Sequence, residues 1–133
     1  MAESHQLTDL QIALLRALWE REEATVAEIC DALRPERALA QTTVATLLSR
    51  LEKRGVVRHR TEARQYVYRA TVSEHEVRRS MVGELTERLF DGDVTALVSH
   101  LLATDAVGPD DLQKVRDLIA AHARRREDTD DRR

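Results

Sequence analysis

Residues 41–57, QTTVATLLSRLEKRGVV, leave few folds open to this chain. Val44, Leu47, Leu48 and Leu51 recur at i, i+3, i+4 and i+7, the spacing of one apolar face of an α-helix, so the segment has to dock on a core along that face. Gly55 supplies the left-handed residue that stops the helix. The opposite face is polar, with Gln41, Thr42, Thr43, Thr46, Ser49, Arg50 and Lys53 projecting away from the stripe. Next comes RHRTEARQYVYR, which alternates as strands do and predicts an antiparallel hairpin with strands at 56–60 and 65–69. The joining residues 61–64 contain no glycine, which predicts a longer or irregular turn.

A helix about 12 Å across enters a DNA major groove of about 12 Å only where its closest side chains are small. The threonines at the leading end of this helix meet that condition. They can donate to phosphates or to base acceptors, and Arg50 has the fork geometry for guanine or phosphate. Charge supports the same reading. From 41 to 69, seven cations (Arg50, Lys53, Arg54, Arg58, Arg60, Arg64, Arg69) face two carboxylates, a local net of +5, while the whole chain stands at −3. Residues 80–123 carry eight acids against three bases, a net of −5. A nucleic acid meets the local field and not the average charge, so a basic module preceding an acidic one points to DNA where the total would not. Arg58, Arg60 and Arg64 are the wing cations expected to meet phosphates. His59 is a further candidate for a phosphate when protonated, or else a plain exposed strand residue.

Upstream, Thr8 with Gln11 makes a capping box, and Leu7 with Ile12 a hydrophobic staple, predicting a first helix over 7–22 with Leu14, Leu15, Leu18 and Trp19 facing the core. Thr25 with Glu28 is a second box, opening a short helix that Pro35 ends after about residue 33. Three helices followed by a hairpin make a winged helix-turn-helix. Downstream, Ser73 and Glu76 open a long helix broken at Asp91-Gly92, Asp93 caps a short one, and Pro109 starts a last one. The short helices carry Val94, Leu97, Val98, Leu101 and Leu102, then Leu112, Val115, Leu118 and Ile119. So much apolar surface cannot be covered by one long helix, and it predicts a homodimer through this region. The other possibility is that these helices fold back on the winged domain.

The expected fold is therefore mainly α with a small antiparallel β-hairpin: a winged helix domain over 1–72, a helical dimerisation domain over 73–126, and a charged, disordered tail over 127–133, with fraying from residue 124. At 133 residues one compact domain and an appendage are feasible. The single cysteine, Cys30, excludes an internal disulfide and sits in an apolar helical register, as a core residue does. The five histidines, His5, His59, His75, His100 and His122, lack the paired spacing of a metal site, so no metal and no cofactor are expected. No apolar run approaches the roughly 20 residues that span a bilayer and the start lacks the pattern of a signal peptide, which predicts a cytoplasmic protein without membrane insertion.

Four segments, LTDLQIALLRALWE, TTVATLLSRLEKRGVV, the wing ending QYVYRA, and LFDGDVTALVSHLL, resemble the BlaI/MecI/CopY group of bacterial winged-helix repressors over roughly residues 7–119. The resemblance implies a dimer on a palindromic double-stranded DNA operator, with each recognition helix in a major groove, each wing on flanking backbone, and transcription blocked by occlusion of the promoter. In the β-lactam regulators of that group a membrane-bound sensor protease triggers cleavage at an Asn-Phe bond in the dimerisation region; alignment places His100-Leu101 there, a different dipeptide. The copper-sensing branch uses cysteines near the C-terminus, and this chain has none after Cys30. Two other function classes fit these residues less well. A winged helix that binds protein would show an apolar or acidic outward face on its third helix, and here that face is Thr, Ser, Lys and Arg. An enzyme would need a phosphate loop, a ligand cluster or a nucleophile with its base, and no such motif is present, so catalysis is not expected.

Overall fold

The computed structural model describes residues 6–131; residues 1–5, His5 among them, and residues 132 and 133 lie outside the described part. Helix α1 (Asp9–Arg21) starts as its sequence dictates. Thr8 Oγ1 accepts from the Gln11 N–H at 3.2 Å and Gln11 Oε1 accepts from the Thr8 N–H at 3.0 Å. Leu7 is buried in the core and Ile12 packs against that core. After Glu22, at φ 70°, comes a two-residue strand β1 (Ala24–Thr25), then α2 (Val26–Leu33), whose Thr25–Glu28 box is also complete. The Thr25 N–H holds the Glu28 carboxyl below its ordinary range. That arm of the cap is thus present above the usual carboxylate pKa and is lost as pH falls through the depressed value. Thr8→Ala and Thr25→Ala are each expected to cost about 1 kcal/mol in chemical denaturation, the usual worth of an N-cap.

Next come α3 (Gln41–Lys53), β2 (Val57–Glu62) and β3 (Gln65–Ala70). The sheet has three strands in the order β1-β3-β2, all antiparallel, where the sequence predicts only a hairpin. β1 pairs Ala24 with Tyr68 and Thr25 with Val67. Two residues are too few to show alternation, so nothing local announces this strand.

The turn also differs from expectation. Glu62 pairs with Gln65, which leaves Ala63 and Arg64 as a two-residue loop at φ 50° and 66°. Left-handed φ at both positions is the signature of the type I′ turn that the twist of paired strands favours. Neither residue is glycine, so the ladder holds this turn against a cost of roughly 1 kcal/mol per left-handed residue.

The core of this part is Leu14, Leu15, Leu18, Ile29, Val44, Leu48, Leu51 and Val57, with Cys30 also buried, its thiol pushed up by desolvation. Trp19 is a packing anchor whose indole N–H donates to the Val72 carbonyl at 2.8 Å.

Helix α4 (Glu74–Phe90) follows, with Ser73 Oγ accepting from the Glu76 N–H at 3.0 Å. Val77 is buried in the winged core and Met81 packs on it, so the compact units divide between Leu85 and Thr86, inside α4, and not at the sequence-based boundary of 72/73. In the second unit, Asp91 and Gly92 at φ 50° and 79° end α4, and Asp93 Oδ1 caps α5 (Val94–Ala103) through the Ala96 N–H.

Helix α6 (Pro109–Asp131) runs further than composition suggests. Residues 124–131, expected to fray, are helical. Arg124 to Glu127 are good helix formers that carry α6 past residue 123, whereas Asp128, Thr129, Asp130 and Asp131 are weak ones that continue a helix already propagating.

Candidate nucleic-acid interface

In α3 the 3.6-residue period separates two faces completely. Val44, Leu48 and Leu51 have no exposure and Leu47 is half-buried, while Gln41, Thr42, Thr43, Thr46, Ser49, Arg50 and Lys53 are all exposed. One of the hydroxyls is already engaged. Thr46 Oγ1 donates to the Thr42 carbonyl at 2.9 Å, the back-bond common to helical threonine. Thr46 therefore offers its methyl and an acceptor oxygen outward, not the donor its sequence position suggests. Arg54, at the end of the helix, donates from Nη2 to the Gln6 carbonyl at 2.7 Å.

The wing presents Arg58 and Arg69 directly opposite each other on one sheet face, with Arg64 at the tip. Arg60 lies on the same face as Arg58 but is not a free cation. Its guanidinium grips both carboxylate oxygens of Glu23, with Nη2 at 3.1 Å from Oε1, and also meets Glu62. The Arg60 hydrogen bonds hold the Glu23 carboxyl below its ordinary range and the Arg60 group above its own. Two acids offset that one base, so the outward cations of the wing are Arg58, Arg64 and Arg69.

His59 is not the plain exposed strand residue that one sequence-based reading expects. It is half-buried, its Nδ1 lies 2.8 and 2.7 Å from the two oxygens of Glu52, and its backbone N–H donates to Glu52 at 3.2 Å. A carboxylate only accepts, so Nδ1 carries the proton. The ring stacks on Tyr66 with centroids 4.0 Å apart and planes at 19°.

Between the start of α2, one side of α3 and the wing lies an open cleft of about 550 Å³, lined among others by Gln41, Ser49, Glu52, Arg64, Gln65 and Tyr66. Gln41 and Ser49 from the helix thus share one concavity with Arg64 from the wing tip. Sequence reasoning missed Glu23, Glu52 and Tyr66. The detectable signal was Glu52 lying at helical spacing from Gln41 and Ser49, an acid on the side of a helix otherwise offering donors.

The residues predicted for a dimer contact fall on α5 and α6, neither of which has a buried residue. Val94, Leu118 and Ile119 are 60–65% exposed, Val98, Leu101, Leu102 and Leu112 are also exposed, and Leu97 and Val115 are half-buried. His100 and Leu101 sit in mid-α5, the His100 ring 5.8 Å from that of Phe90. Among the described residues no three His, Cys, Asp or Glu side chains stand together as a metal site, and no helix is long and apolar enough to cross a membrane.

Comparison with known proteins places the chain. A family model for the penicillinase repressor matches residues 7–121. The transcriptional regulator BlaI of Mycobacterium tuberculosis is 34% identical over 122 residues, covering 90% of this chain and 87% of that one. The penicillinase repressor of Bacillus licheniformis is 20% identical over 123 residues, covering 92% and 96%. A solution structure of the monomeric form of B. licheniformis BlaI in complex with the blaP half-operator aligns at 25% identity and a TM-score of 0.49, over 57% of this chain and 93% of that one. With its winged helix and a family match running almost from end to end, the chain belongs to the penicillinase repressor family of transcriptional regulators.

Proposed function

We propose that this protein is a dimeric, sequence-specific DNA-binding repressor that occupies a palindromic operator and blocks transcription. The observation that carries the reading is the outward face of α3, where Thr42, Thr43, Ser49 and Arg50 are exposed beside a wing whose tip bears Arg64. Small hydroxyl residues admit the helix to the major groove, Arg50 and Lys53 flank it, and Arg58 and Arg64 lie where neighbouring phosphates would run. Two copies joined through α5 and α6 would read half-sites about one helical turn, roughly 10 bp, or a multiple of it apart. The support for the dimer is that α5 and α6 have no buried residue of their own.

Relief of repression would come from loss of the dimer. The bond His100-Leu101 is the candidate for a cut triggered by a membrane sensor protease. It lies inside a helix, so α5 has to open locally before a protease can take the chain in extended form; a helix without buried side chains opens at little cost. A repressor recovered intact from derepressed cells would remove this route. The relatives and the site suit a regulator that works in the cytoplasm.

The test is in vitro selection of the purified protein on randomised duplex DNA at several salt concentrations, with mass measured in parallel. Enrichment of an inverted repeat bound by a dimer is expected. Salt-sensitive binding without an enriched sequence would reduce the protein to a nonspecific binder, and no binding at low salt would point to a protein partner instead. On the enriched duplex, Thr42→Ala and Thr46→Ala are expected to lose discrimination against random DNA, by about 1–3 kcal/mol where a base contact is lost. Arg58→Ala and Arg64→Ala are expected to weaken both duplexes alike and to reduce the salt slope by about 1 each. Equal losses for all four would sink this division of labour.

A further inference from the structure

Consecutive strand residues send their side chains to opposite faces of a sheet. In β2 the consecutive residues His59 and Arg60 are each gripped by an acid from outside the hairpin. Glu52 of α3 takes both the ring Nδ1 and the backbone N–H of His59 on one face, and Glu23, just before β1, takes the guanidinium of Arg60 on the other. Beyond these two, every residue from 61 to 66 is exposed, and Tyr66 reaches inward through ring contacts with His59 and Tyr68, so little burial holds the wing tip in place. The β1 pairing ends at Val67, and the two-stranded ladder left beyond it is by itself at best marginally stable. We infer that Glu23 and Glu52 are positioning residues for DNA recognition: a pair of carboxylate clamps, one per face, that fix the direction of the wing so that Arg64 meets flanking backbone. The consequence for DNA rests on the repressor reading above; the clamping itself does not.

Electrostatics alone predicts the reverse of this. Carboxylates beside a phosphate-binding surface repel DNA, so neutralising them should strengthen binding to any sequence. The clamps also add little to global stability, because both pairs are partly exposed, the side chains of Arg60 and Glu23 by 49% and 48%. What they restrict is the orientation of the wing.

The test uses the full chain and four variants: Glu23→Gln, Arg60→Ala, Glu52→Gln and Glu52→Ala. Without DNA, amide hydrogen exchange at residues 61–66 is expected to rise about tenfold in Glu23→Gln, Arg60→Ala and Glu52→Ala, with α1 to α3 unchanged. Glu52→Gln, which keeps an oxygen for the His59 N–H, is expected to fall between wild type and Glu52→Ala. On the duplex enriched by selection, Glu23→Gln and Arg60→Ala alter net charge in opposite directions, yet both are expected to weaken binding, roughly tenfold, the scale of one charged hydrogen bond, and to lose hydroxyl-radical protection outside the half-sites. Affinities that move in opposite directions with the charge, or unchanged exchange at 61–66, would overturn the inference. Increased exchange in a protein that binds neither the enriched nor a random duplex would uphold the clamps and overturn the repressor reading alone.

Discussion

Leu101→Asp and Leu118→Asp are each expected to yield a monomer in solution and to lower affinity for a two-half-site operator by about 10²- to 10⁴-fold, the gain that linking two binding modules provides. Leu118 is 65% and Leu101 42% exposed, so in the isolated chain either aspartate is tolerated without disturbing a core. The cost falls on the assembly, where the carboxylate would be buried without a partner. Helices with no buried side chains also lack what normally stabilises helices in water, which is tertiary packing of an apolar face. Sedimentation and titration of one duplex with a single half-site and one with both separate the two effects: the single half-site is expected to bind the variants as well as it binds wild type. Unchanged mass would place the interface elsewhere.

Leu48→Ala is expected to cost about 2–5 kcal/mol, the range for emptying a fully packed leucine site. That is a large share of the roughly 5–15 kcal/mol that holds a domain folded. Leu48 has no exposure and belongs to the stripe that seats α3 on α1 and α2. Where the variant remains folded, its outward residues are unchanged, yet operator affinity is expected to fall, because the angle of the helix depends on that seat. Chemical denaturation followed by DNA titration well below the midpoint measures the two losses separately. A loss below about 1 kcal/mol would mean that the core closes around the gap and that the seat of α3 is less exacting than its burial indicates.

Local rules explain which parts of the fold were legible in the sequence. The starts of α1 and α2 could be read because T-x-x-Q and T-x-x-E are reciprocal hydrogen bonds between near neighbours, and α3 because one stripe of four apolar residues has a single helical solution. β1 could not be read, since a strand of two residues is defined by its partner Tyr68, far along the chain. The wing turn was misread for the opposite reason: the absence of glycine argued against a tight turn, but the register of β2 and β3 imposes one. The end of α6 is not legible either, because its last four residues are weak helix formers and their helicity depends on the turns that precede them. In the candidate interface, outward residues on α3 followed from periodicity alone. That Arg60 is neutralised by Glu23, and that His59 belongs to Glu52, depends on contacts spanning 37 and 7 residues, which no spacing rule encodes.

Ala63 and Arg64 place two competing demands on the same pair of backbone angles. A glycine at position 64 would relax the turn but remove the cation at its tip, and the present arginine keeps the cation while the turn stays strained. Robustness and recognition therefore trade against each other at this one position. Screens that select variants only for thermal resilience would drift toward glycine there and, under the proposed repressor function, would shed DNA affinity with the rest of the molecule unaltered.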